Sequence, residues 1–208
     1  LSGRDADLWL RIECRGAAAQ GYRIQLTRQA QATGQADRLR PGDLCLNELL
    51  EAPGSVDLNG DGQLDSGDQF GEILNVSPLP LDLKGLQVAG PGATARFTES
   101  VRLEAGACLL LFKGAAPVEV PPHCLAFGLE YSGPWLGSGA GALRLGWRDP
   151  EGTSLQELES FWIPVSTAGT SVSRTMDADR SDPRSPHILL VNSSGANSPG
   201  RRHDGSDF

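Results

Sequence analysis

The sequence predicts an all-β protein, an antiparallel sandwich or barrel, on three observations. Strand-length segments, apolar or alternating, recur about every ten residues with turn signals between them. Glycine and proline are abundant, at 26 and 14 of 208 residues, which suits many turns and few long helices. The longest apolar run, "CLLLF" (Cys108 to Phe112), has the length of a strand and is far too short to span a bilayer.

The elements are taken in chain order. Residues 7–15 and 22–28 alternate with a period of two, with Leu8, Leu10, Ile12 and Cys14 on one face of the first. "GAAAQG" joins them as a hairpin. Two strands cannot form a core alone, so residues 1–41 read as the end of a preceding domain, or as a hairpin docked on the next one. Within them Gln29 to Gly42 is polar and periodless, like a linker. Residues 42–208 form the sandwich. Strands are expected at "LCLNELL", "QFGEILNV", "LDLKGLQVAG", "ARFTES", "VRLEAG", "ACLLLFKG", "HCLAFGLEY", "ALRLGWRD" and "QELESFWIPV". The only helical turn is expected inside an acidic loop after the first of these. From Thr175 onward the chain is polar and proline-punctuated, and should wrap the surface with little regular structure. Trp135, Trp147, Phe161 and Trp162 read as core residues rather than as a platform for stacking sugars.

The net charge of −8 is unevenly spread: residues 41–100 alone carry ten acids against two bases. Such a surface repels a phosphate backbone, which argues against nucleic acid as a main partner. The chain opens on Leu1 with no basic region or apolar signal core, so it is expected to begin inside a longer precursor or to have been trimmed. Four cysteines, Cys14, Cys45, Cys108 and Cys124, allow two disulfides in an exported chain. Cys108 and Cys124 end two strand-like segments joined by a Pro-rich loop, so pairing between them is geometrically easy and leaves Cys14 for Cys45. Free buried thiols are one alternative. A zinc site with His123 is another, although no zinc-ligand spacing is present.

The acidic loop is "DLNGDGQLDSGD", Asp57 to Asp68. Counting Asp57 as position 1 places Asn59, Asp61, Gln63, Asp65 and Asp68 at positions 3, 5, 7, 9 and 12, with Gly62 at 6. These are the ligand slots and the glycine of an EF-hand loop. Calcium takes about seven oxygens at ~2.3–2.6 Å, so a coiled loop must turn alternate side chains inward, while position 7 supplies only its backbone carbonyl. Gly62 permits the positive-φ turn. Leu64, at position 8, is expected to anchor the loop to the core. Without an ion, four carboxylates in twelve residues repel, and the loop is merely a hydrophilic turn. Calcium is therefore the expected ion, with magnesium disfavoured by its stricter octahedron. The metal-site candidates are Asp57, Asn59, Asp61, Gln63, Asp65 and Asp68. Asp at position 12, where EF-hands use Glu, is similar to dockerin loops.

Around this loop the order of motifs resembles a bacterial lamin tail domain. "LNE" (Leu46, Asn47, Glu48) matches an "INE"-type strand, "QFGEILN" an "EFVELYN"-type strand, and "LDLKGL" a "DLSGW"-type turn. "LEAGACLLLF", "GTSVSRTMDAD" and "NSPGRRHDGSDF" match later segments. Leu86, Gln69 and Gly71 depart from the pattern. The resemblance covers about residues 43–208 and implies an immunoglobulin-like β-sandwich, with Glu48 and Glu72 beside the loop as second-rank ligands to its ion.

No G-x-S-x-G, P-loop, H-E-x-x-H or complete dinucleotide motif is present, and "GSGAG" (Gly137 to Gly141) reads as a turn. His123, His187 and His203 stand in no recognisable triad. The expected function is that of a non-catalytic, calcium-stabilised extracellular module, secreted or on a bacterial surface. It would bind a protein or surface polymer, or self-assemble, in adhesion or assembly. The alternative is an accessory domain of a larger secreted hydrolase such as a nuclease or phosphatase.

Overall fold

The computed structural model describes the backbone of residues 8–13 and 23–28, and residues 38–208 except 130–134, 137–140, 150–153, 164–166 and 182. The chain divides into two compact units, residues 1–34 and 35–208. In the first, β1 (Leu8–Glu13) and β2 (Arg23–Arg28) pair antiparallel, with Leu10 opposite Leu26 and Ile12 opposite Ile24.

The second unit is an all-β sandwich. Its strands are β3 (Leu44–Leu50), β4 (Phe70–Asn75), β5 (Leu81–Asp82), β6 (Leu86–Ala89), β7 (Thr94–Arg96) and β8 (Arg102–Leu103). They continue with β9 (Cys108–Phe112), β10 (Cys124–Gly128), β11 (Gly141–Arg148), β12 (Leu155–Ile163), β13 (Val172–Arg174) and β14 (Arg184–Pro186). One sheet has the order β10-β9-β4-β3-β13-β14, the other β12-β11-β6-β7, and β5 pairs with β8 apart from both. Pairing is antiparallel except between β9 and β10, which run parallel. No helix among the described residues is long and apolar enough to cross a membrane.

The main core lies between the sheets, where Leu46, Leu49, Ile73 and Leu109 meet Val88, Leu143, Leu145 and Phe161. Gly71 also faces inward, and a Cβ there would lie 3.1 Å from the Trp135 ring and 3.2 Å from Leu49. The fully buried Trp135 thus fills the space that an apolar residue would take at Gly71. The other face of the six-stranded sheet carries a second apolar cluster: Cys45, Leu50, Phe70, Leu74, Cys108, Leu110, Phe112 and Cys124. That sheet is therefore buried on both sides, and β3, β4 and β9 contain no exposed residue. Phe208 and Leu58 pack against the second cluster.

Three expectations change. Leu39 lies in the core at 0 % exposure, and the Arg38 guanidinium stands 5.0 Å over Trp147, so the end of the expected linker belongs to the sandwich. Trp162 is 63 % exposed on the outer face of the edge strand β12, where alternation points it away from Phe161 and Ile163. Leu64 is 58 % exposed and anchors nothing, and Leu58 takes that role instead. The expected tail is mostly irregular, with β14 and a single 3-10 turn at His187–Leu189.

Candidate functional site

The acidic loop joins β3 to β4. Its side chains fold back on its own backbone in successive short turns. Asp57 accepts the N–H groups of Gly60 (2.7 Å) and Gly62 (2.9 Å), Asn59 that of Asp61 (3.0 Å), and Asp61 that of Gln63 (2.8 Å). Gly62 has φ of +81°, the left-handed turn that the spacing requires. Asp65 caps the 3-10 turn Ser66–Asp68 and accepts the Gly67 N–H, and Asp68 closes the reciprocal capping box. Asp57, Asp61, Gln63 and Asp65 are exposed, whereas Asn59 and Asp68 are buried.

Asp68 is the hub. At 0 % exposure its carboxylate accepts N–H groups from Leu58 (2.7 Å), Asn59 (3.1 Å) and Asp65 (3.2 Å). Position 12 is thereby tied to positions 2, 3 and 9 of the same loop. The segment after β9 holds the loop from below: Gly114 donates to the Gly67 carbonyl at 3.0 Å, and Lys113 donates to the Ser66 hydroxyl.

The side-chain groups of this loop that could ligate a metal are carboxylate and amide oxygens, a set that suits calcium better than a soft metal, although Asn59 turns its Nδ2 onto Asp61 at 3.1 Å. Among the described residues, however, no three carboxylate, imidazole or thiolate groups converge closely enough to hold an ion. The loop oxygens are turned onto backbone N–H groups rather than onto one point.

Glu48 and Glu72 hydrogen-bond Ser198 and Gly200 rather than residues of the loop. A β-bulge between Leu46 and Glu48 puts two consecutive residues, Asn47 and Glu48, on the outer face, and Glu48 becomes the partner of Glu72. Both carboxylates are buried and grip the C-terminal segment. Glu48 accepts from the Ser171 hydroxyl, from the Ser198 N–H (3.0 Å) and from the Ser198 hydroxyl (2.9 Å). Glu72 accepts from Asn47 Nδ2 (2.8 Å) and from the Gly200 N–H (2.7 Å). His187, fully buried, reaches the Ser198 hydroxyl through Nε2 (2.8 Å) and the Gly195 carbonyl through Nδ1 (3.0 Å). Asp177 adds a second clasp, accepting from Asn47 Nδ2 (3.0 Å) and from the His203 N–H (3.0 Å).

Burial pushes the Glu48 carboxyl upward, and the His187 imidazole opposes that shift. Burial, and then the Glu48 charge, drive the Glu72 carboxyl well above the usual carboxylate range. Ser198, His187 and Glu48 are not a hydrolytic triad, because the carboxylate bonds the serine and not the imidazole.

The bulge frees a backbone amide and carbonyl at Leu46. Glu159, from the opposite sheet, accepts that N–H at 2.9 Å, and Arg174 Nε donates to that carbonyl at 2.9 Å. Arg174 and Glu159 also bond each other, both nearly buried. Neither Arg174 nor Ser198 was a candidate from sequence, although both lie in the closing motifs "GTSVSR" and "NSPG".

The three described cysteines, Cys45, Cys108 and Cys124, are free and buried. The expected Cys108–Cys124 bridge is not formed here, although the two are partners across β9 and β10. Cys14, expected to pair with Cys45, and most of "GSGAG" lie outside the described residues. Burial pushes the Cys45 thiol up to about 12. His123 bonds the Gly200 carbonyl at 3.0 Å, which gives it a structural partner in place of zinc.

No protein-family model matches this chain, and no curated protein matches it in sequence.

Proposed function

We propose that residues 35–208 are a non-catalytic β-sandwich module of a secreted or surface-attached bacterial protein, similar to lamin tail domains, whose β3–β4 loop is stabilised by calcium. The observation that carries this reading is Asp68: a buried carboxylate at position 12, tied to positions 2, 3 and 9 of a loop whose other slots all carry oxygen donors. Asp57, Asn59, Asp61, Asp65 and Asp68 would hold the ion with side-chain oxygens, and Gln63 with its carbonyl. A bound cation offsets the mutual repulsion of these carboxylates and links the stability of the fold to external calcium. A structural rather than chemical use of the buried Glu48, Glu72, His187 and Ser198 supports a non-catalytic role, since each is engaged in fastening the C-terminal segment. The module would display its faces to a protein or surface polymer. Calcium titration of the chelator-treated protein by calorimetry, with thermal unfolding in parallel, tests the reading. Saturable heat and a rise in Tm are expected, both abolished in Asp61→Ala. No heat and an unchanged Tm would overturn it.

A further inference from the structure

Cys108 and Cys124 are Cα partners on the parallel strands β9 and β10, and both belong to the apolar cluster on the outer face of the six-stranded sheet. Neighbouring strands lie about 4.8 Å apart. That falls within the Cα separation of about 4.4–6.8 Å that a disulfide spans. Both thiols are free.

The C-terminal segment lies directly over them. The Cys124 thiol donates to the Gly200 carbonyl at 3.5 Å, and the Cys108 thiol lies 4.0 Å from the Glu72 oxygen that holds the Gly200 N–H. Gly200 has φ of +77°, and a Cβ there would stand 3.0 Å from the Cys124 sulfur. The backbone at Gly200 thus caps the thiol pair with no room to spare. Burial, and after it the neighbouring Cys124 thiol, also raise the Cys108 thiol well above its ordinary value, so thiolate is scarce while the cap is in place.

We propose that Cys108 and Cys124 are a latent disulfide, open to exchange only while the C-terminal segment is undocked and shielded once Gly200 closes over it. The oxidant is a small disulfide, RSSR. One cysteine thiolate attacks it, forming a mixed disulfide and releasing RS⁻. The second thiolate displaces the other RS⁻, closing the Cys108–Cys124 bond. The two thiol protons end on two RSH, so the protein loses two hydrogens and the oxidant gains them. The bond would join the edge strand β10 to β9 independently of any calcium at the β3–β4 loop.

The test uses the full chain and oxidised glutathione in two arms: protein kept folded, and protein unfolded in urea and refolded with the oxidant present. Remaining thiols are blocked under denaturing conditions and the peptides mapped by mass. A Cys108–Cys124 link is expected as the main product of the refolded arm and as a slow product of the folded arm. Ser198→Ala, which loosens the segment without altering either thiol, should speed the folded arm several-fold, and Gly200→Ala further. Absence of the link from the refolded arm, or its replacement by links to Cys45, would overturn the pairing. Equal rates for the folded wild type and Ser198→Ala would overturn the shielding.

Discussion

Glu48 and Glu72 stand opposite each other on adjacent strands, and each carboxylate takes a backbone N–H from the same tripeptide, Ser198 and Gly200 on either side of Pro199. Two buried acids side by side are costly unless they are protonated or heavily hydrogen-bonded. Here the C-terminal segment supplies the donors.

This pair makes stability depend on pH. The Glu72 carboxyl lies well above the usual range when folded, because of burial and the Glu48 charge. A carboxyl raised by folding stabilises the fold fully below its unfolded pKa of about 4.3, and that contribution is lost as pH rises through the folded value. Unfolding free energy should therefore decline from about pH 5 upward, and Glu72→Gln should flatten the decline. Urea denaturation of both proteins across that range measures it. Parallel curves would contradict the assignment.

Asp68 and Asp61 should separate under mutation in the calcium-free protein. Asp68→Ala strands three N–H groups beneath the loop and should cost about 2–4 kcal/mol. Asp61 is exposed, and Asp61→Ala should stay within about 1 kcal/mol. Chemical denaturation in chelator resolves the two.

Arg174→Met should cost about 2–3 kcal/mol, because it removes the buried partner of Glu159, leaving only the more distant Arg180 (3.6 Å) and Arg184 (3.7 Å), and leaves the Leu46 carbonyl only the weak Cys45 thiol as donor. Adding Glu159→Leu should recover only part of this, since the Leu46 amide then loses its acceptor and the Leu46 carbonyl keeps only the Cys45 thiol. A double-mutant cycle by urea denaturation reads the coupling.

Two tryptophans test the core assignment. Trp135→Ala empties the space beside Gly71 and should cost about 3–5 kcal/mol, whereas Trp162→Ala should change stability by about 0.5 kcal/mol or less. Thermal unfolding of the pair is sufficient.

The strands were legible where period and punctuation agreed. "LCLNELL" appears as β3 with the expected ends, and the helical turn falls inside the acidic loop. What escaped depends on contacts distant in sequence. A bulge shifts which residues share a face, so "LNE" reads as simple alternation while Asn47 and Glu48 point the same way. The sequence predicts an antiparallel sandwich without giving a direction for each pair, and residues 113–123 are long enough to cross over so that β10 returns parallel to β9. The family resemblance implies Glu48 and Glu72 as second-rank loop ligands, whereas their partners include Ser198 and Gly200, far along the chain. Trp162 and Leu64 show that an apolar residue in a strand or loop does not by itself reveal which side it takes.

The clasp sets a condition on how the molecule is made. Glu48 waits for Ser198, 150 positions later, before its hydrogen bonds are complete. Contacts so far apart slow folding, and on the ribosome they form only after Ser198 and Gly200 have emerged. A product truncated before Pro199 would leave Glu72 without its Gly200 donor and the apolar cluster beneath uncovered, a state that proteases and chaperones recognise. Closure of the outer face of the six-stranded sheet is therefore held back until residues 198–200 have been made and can donate to the two buried acids.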